Sequence, residues 1–271
     1  MGSVFTFLFN NFAPGNFYKI QMTYLQLARS YPNYIGYGML HYFMSSLGQT
    51  FLISVFVPFF VSSLGVTNNG FSVIYACATL TSASILPMAG KYIDAIRLRM
   101  MSLICGMGLI IACFIMANAT HLIILFLGLF TLRFFGQGGM VLIGSTAVAR
   151  YFDHVRGKAL SMASTGLPVA EALMPVLMVA SIHEWGLSAT WSLLGLGVAL
   201  FFIPATILPV DKYNPFQTVP PLISHTNTSV KSRSRAEVLR DWKFYLLLPA
   251  FVFLPFFITG IFIHQNLVAE V

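Results

Sequence analysis

The sequence predicts an all-α, polytopic membrane protein with about seven transmembrane helices, and three observations carry that reading. Only 8% of its 271 residues are charged and 57% are hydrophobic, against about 25% charged in an ordinary soluble domain. Charge-free runs are long: Ser30–Gly90, Gly186–Val210 and Phe244–Ala269 hold no Lys, Arg, Asp or Glu. The basic residues gather in the gaps between alternate apolar stretches. A soluble core could not hide so many segments near the ~20 residues needed to span a bilayer.

Taken in order, residues 1–34 read as a cytoplasmic tail, aromatic and mixed, with a short interfacial helix and two bases, Lys19 and Arg29. Residues 35–209 read as a six-helix bundle. Its segments are placed at 35–61, 71–90, 100–118, 121–148, 159–182 and 188–209, each an apolar run long enough to cross. Residues 210–243 are polar, with Pro215, Pro220, Pro221 and a basic Lys231–Arg235 run, the composition of a flexible cytoplasmic linker. A seventh helix starts at Phe244, reaches about Gln265, and belongs to 244–271.

Orientation follows from the bases. With the N-terminus inside, Lys19, Arg29, Lys91, Arg97, Arg99, Arg150, Arg156, Lys158 and all the linker bases face the cytoplasm. The outer loops at 62–70, 119–120 and 183–187 have none. Positive residues mark the inner face of membrane proteins, so a seven-helix receptor with its N-terminus outside is excluded. The expected location is the cell (inner or plasma) membrane.

Other classes fall away. The sequence pI of about 9.5 comes from loop charges that set topology, with no continuous basic stripe for nucleic acid. Cys77, Cys105 and Cys113 lie inside apolar segments without metal-ligand spacing, so they are read as packing residues. There is no ATP-binding loop. No nucleophile–base–acid set or His/Cys cluster is present, so no enzyme, metal or cofactor is expected.

Four stretches carry a resemblance. Gly90-Lys-Tyr-Ile-Asp94-Ala-Ile-Arg97-Leu-Arg99 is similar to the glycine–aspartate–basic loop motif of the major facilitator superfamily. Ala95 stands where that motif has a base, and Arg97 where it has a second glycine. Arg133-Phe-Phe-Gly136-Gln137-Gly138 resembles the superfamily's segment-four arginine motif. Ala149–Ala159, with Asp153, Arg156 and Gly157, resembles the loop that opens segment five with Arg-Gly. Ser45–Phe51 places Gly48, Gln49 and Thr50 inside segment one.

This resemblance implies a secondary transporter moving a small solute by alternating access between two six-helix halves, with proton coupling and a preference for organic anions as finer expectations. Gly90, Asp94, Arg99, Asp153, Arg156 and Gly157 then belong to gating loops, Gly90 permitting a tight turn. A complete member has about twelve helices, so the expectation is a truncated second half or a partner chain supplying it. An inactive transporter fragment is the alternative reading. The partners expected are a solute, H+ and the lipid bilayer.

Arg133 is the one base that loop topology does not explain. It is the only Lys or Arg between Met100 and Arg150, and a charge at the centre of a membrane helix costs about 2.5–3.5 kcal/mol on insertion scales. At ~1.5 Å per residue it lies roughly 22 Å from the inner end of segment four, and Glu171 lies roughly 18 Å from the inner end of segment five. Two arrangements fit that shared depth. Both could face a central cavity, Arg133 binding an anion and Glu171 carrying a proton; or they could form a fixed ion pair. Pro168 and Pro175 bracket Glu171 and predict a kink. His41 and Gln49 are further pathway candidates, each with a packed, hydrogen-bonded reading beside it. Gly136, Gly138, Gly139, Gly195 and Gly197 are read as sites of close helix contact.

Overall fold

The computed structural model describes residues 23–152, 155–207, 237 and 240–263, and every regular element among them is helical. α1 (Tyr24–Ser30) begins at Thr23, whose hydroxyl accepts the Gln26 N–H while the Gln26 side chain accepts the Thr23 N–H. This capping box satisfies two donors at the start of the helix. Leu27 is fully buried with Tyr34, Val148, Phe152 and Ala159. From Thr23 onward the tail is therefore docked on the bundle; residues 1–22 lie outside the described set.

The first crossing is broken at its middle. α2 (Pro32–Met44) opens on a proline, where the missing N–H would have been unpaired anyway. A 3₁₀ turn (Ser45–Gly48) follows, Gln49 is extended at φ −83°, ψ 152°, and α3 (Thr50–Leu64) resumes. Serine and glycine are weak helix formers, and Ser45 Oγ donates to the Tyr42 carbonyl at 2.6 Å, in competition with the helical ladder. Segment one at 35–61 is thus two half-helices.

α4 (Asn68–Ala95) and α5 (Leu98–Ala117) are the second and third crossings. The expected tight turn at Gly90 is corrected: α4 runs through Gly90 to Ala95, and the chain turns at Ile96 and Arg97. The helix outlasts its apolar stretch because nothing in residues 90–95 breaks the ladder. The fourth crossing is α6 (Leu122–Thr131), a π-helical segment (Leu132–Met140) and α7 (Val141–Tyr151). π segments are rare and gather at functional sites.

α8 (Arg156–Ser164), α9 (Gly166–Gly197), a second π segment (Val198–Phe202) and α10 (Ile203–Ile207) form one helical stretch of 52 residues. At ~1.5 Å per residue that is about 78 Å, far beyond a ~30 Å hydrocarbon core. The reversal lies at Gly186, whose φ 79°, ψ 172° only glycine adopts readily, and it separates the fifth and sixth crossings. α11 (Trp242–Ile263) is the seventh. Residues 208–236, with most of the expected linker and its Lys231–Arg235 run, lie outside the described set, as do His264 and Gln265.

The core fills the space between crossings one, three, four and six. Phe56 of α3 lies tilted on Trp191 of α9, 4.4 Å between ring centres, and Leu109, Cys113, Leu129 and Ile143 are fully buried beside them. Gly195 packs on Cys113, whereas a Cβ on Gly197 would meet nothing within 4 Å. The close contact expected at Gly197 is therefore not met.

A buried arginine at the broken helix

The break in crossing one and the π segment of crossing four meet face to face. A Cβ on Gly48 would run into the backbone of Leu132 and lie 2.5 Å from the Gln137 nitrogen; one on Gly136 would lie 2.8 Å from the Gly48 nitrogen. Only two glycines let the backbones approach this closely.

Arg133 sits in that crossing, 4% exposed. Its Nη1 donates to the Gly48 carbonyl at 3.1 Å and to Gln137 Oε1, Nη2 to Thr50 Oγ1 at 3.3 Å, and Nε to Thr79 Oγ1 at 3.1 Å. The guanidinium carbon lies 4.5 Å from the ring centre of Tyr75, a cation–π distance. Tyr75 and Thr50 share a further hydrogen bond at 2.7 Å. A guanidinium has five N–H donors, so these bonds leave one on Nη2. Ser46 Oγ, fully buried in the 3₁₀ turn, has no partner among the described residues.

Every one of these acceptors is neutral. Glu171 is not among them: it is exposed on α9, on the fifth crossing. Helix arithmetic equated the depths of Arg133 and Glu171, but depth says nothing about azimuth. The guanidinium points between crossings one and two. Tyr75 and Thr79 escaped the sequence reading; their four-residue spacing, which puts two polar groups on one face of α4, was the available signal.

His41 is buried completely, away from Arg133. Its Nδ1 donates to the Tyr37 carbonyl at 2.8 Å, its Nε2 lies 2.8 Å from Ser102 Oγ, and Ser102 also bonds to the Tyr37 hydroxyl. Because a carbonyl can only accept, the proton of a neutral ring is on Nδ1. The His41 ring meets Phe202 edge-on at 5.2 Å. This is the packed, hydrogen-bonded alternative, a polar clamp between crossings one and three that Phe202 of crossing six closes off. Gln49 is half-buried and supplies the extended residue at the break.

The interval between α8 and α9 falls at Thr165, next to the Ser164 carbonyl that the Pro168 ring cannot bond. Pro175 lies inside α9, whose one non-helical residue is Gly186. Arg99 is exposed at the start of α5, and Arg156 and Gly157 lie at the start of α8. Asp153 and the side chain of Asp94 lie outside the described set. Among the described residues no group of three or more His, Cys, Asp or Glu could hold a metal ion.

No curated protein and no solved structure matches the chain. A family model does: the one described as the Major Facilitator Superfamily matches residues 38–270. The match spans nearly all the described bundle and takes in the broken first crossing, Arg133 and α11. The chain therefore belongs to the major facilitator superfamily of secondary transporters, which carry small solutes across the lipid bilayer.

Proposed function

We propose that the solute is a small anion, of the monocarboxylate kind, and that Arg133 is the charge that selects it. One observation carries this: a guanidinium 4% exposed, bonded to neutral groups alone. A buried charge without a counter-charge is costly, and an anion arriving beside it offsets that cost. At 4 Å and an effective dielectric constant of about 20 the attraction is about 4 kcal/mol. Desolvation of the anion consumes part of this, leaving about 2–3 kcal/mol, or roughly a hundredfold in affinity.

Glu171, exposed on α9 and unpaired with Arg133, is the carrier of a coupling proton in this reading, and the basic loops face the cytoplasm with the N-terminus. The test is equilibrium binding of lactate to the full chain in lipid nanodiscs, for wild type and Arg133→Met. Arg133→Met is expected to weaken lactate binding about a hundredfold while leaving a neutral sugar unaffected. Equal lactate affinity in the two proteins would remove the anion reading. Glu171→Gln is expected to flatten the pH dependence of uptake without altering lactate affinity at high pH; unchanged pH dependence would remove proton coupling through Glu171.

A further inference from the structure

We infer that Arg133 is a latch that holds the first crossing open at Gln49, and that an anion taking the guanidinium lets α2 and α3 rejoin as one helix. The latch stands on the geometry of the break; only its trigger rests on the anion reading above.

Consider the hydrogen bonds that the break displaces. In a continuous helix the Gly48 carbonyl would accept the Leu52 N–H. Here it accepts Arg133 Nη1 at 3.1 Å, the Ser46 carbonyl takes the Gln49 N–H at 2.9 Å, and the helical ladder restarts with Ile53 N–H to the Gln49 carbonyl at 3.2 Å. A helix beginning at Thr50 leaves the N–H groups of its first turn without intrahelical acceptors, and no side chain caps them. Thr50, Phe51 and Leu52 are all buried, so water is a poor substitute. Unmade hydrogen bonds of this kind disfavour the break.

Arg133 supplies what opposes that cost. It satisfies the Gly48 carbonyl, holds Thr50 just beyond the break, and is anchored from crossing two by Thr79 and Tyr75. A bound anion competes for those same Nη hydrogens, since charge-assisted bonds to an anion are stronger than bonds to a neutral carbonyl. Once the guanidinium turns away, the Gly48 carbonyl has one acceptable donor left, the Leu52 N–H, and Gln49 goes helical to bring it in. The Gly48–Gly136 contact is backbone against backbone, with no side chains to interlock across it.

The rearrangement has a size. Four 3₁₀ residues at ~2.0 Å and one extended residue at ~3.3 Å become five at ~1.5 Å, so crossing one shortens by up to about 4 Å. The anion at Arg133 is thereby coupled to the relative position of the two half-helices, the kind of differential contact that a ligand needs to shift a conformational equilibrium.

The test is a spin-label distance between Asn33→Cys on α2 and Ser62→Cys on α3, both exposed, in the full chain carrying Cys77→Ala and held in lipid nanodiscs. Arg133→Met without ligand is expected to shorten the distance by roughly 2–4 Å, and an unchanged distance overturns the latch. Should that variant not fold, Arg133→Lys keeps the charge but cannot bridge Gly48, Thr50 and Thr79 together; it is expected to populate the shorter distance in part, and a purely wild-type distribution overturns the latch. Saturating lactate on the Arg133 protein is expected to shift the same distance, chloride not. Lactate binding with no change in distance overturns the latch and spares the anion reading. Shortening in the Arg133 variants, together with no lactate binding to the wild-type protein, supports the latch and removes the anion as its trigger.

Discussion

Gly48→Ala puts the meeting of the broken helix and the π segment under direct strain. Its Cβ would lie 2.5 Å from the Gln137 nitrogen, 3.1 Å from the Gly136 Cα and closer still to the Leu132 carbonyl oxygen, all of them backbone atoms that cannot rotate aside. Restoring ordinary contact at 3.4 Å requires crossings one and four to part by more than about 0.9 Å, and a gap of even that size forfeits about a quarter to a half of the dispersion energy of the atoms facing it. The same displacement takes the 3.1 Å Arg133–Gly48 bond to about 4 Å, outside hydrogen-bonding range. Overpacking costs typically about 1–3 kcal/mol, and a hydrogen bond to a charged group contributes about 1.5–3 kcal/mol. Gly48→Ala is therefore expected to destabilise the bundle by about 3–5 kcal/mol, against a helix-propensity gain below about 1 kcal/mol. The control is Gly36→Ala on α2, where a Cβ meets nothing within 4 Å. The assay is thermal unfolding of the two variants in the same detergent, followed by Trp fluorescence. If Gly48→Ala melts with Gly36→Ala and wild type, the helices are not in backbone contact at this crossing and the geometry of the site is refuted.

Two further outcomes follow from separate parts of the bundle. Ser102→Ala removes the hydroxyl bonded to His41 Nε2 inside the core, and is expected to cost about 1–3 kcal/mol in stability while leaving lactate binding at the wild-type level; a changed lactate affinity would place His41 in the solute path. Gly186→Ala forces a Cβ into φ 79°, ψ 172°, at about 1–3 kcal/mol, and is expected to lower the melting temperature although a Cβ there touches nothing; an unchanged melting temperature would argue that the chain reverses elsewhere.

Much of the fold is legible in the sequence because a bilayer leaves the backbone few options. Apolar runs of spanning length must be helices, since any other lipid-exposed backbone would carry unpaired N–H and C=O groups, and so Leu98–Ala117 and Phe244–Ile263 could be placed within a few residues. Arg133 stood out for the same reason: a charge inside such a run is too costly to be incidental. Helix ends were less legible. α4 passes through Gly90 to Ala95, because the edge of an apolar run marks the membrane, and the helical ladder ends only where something breaks it.

The order of residues carries a one-dimensional picture: which segments cross, which loops are basic, and how deep each polar residue lies. Hydrophobicity and rise per residue encode those quantities directly. Azimuth came from the packing of the helices. It turned Arg133 toward the Gly48 carbonyl, Thr50, Thr79 and the Tyr75 ring, left Glu171 exposed on α9, and closed His41 into a clamp with Tyr37 and Ser102. Packing also set the break at Gln49, because whether a Ser-Ser-Leu-Gly stretch stays helical depends on what else can bond its carbonyls. Here the alternative partner comes from a residue 85 positions further along the chain, a pairing that no local pattern contains.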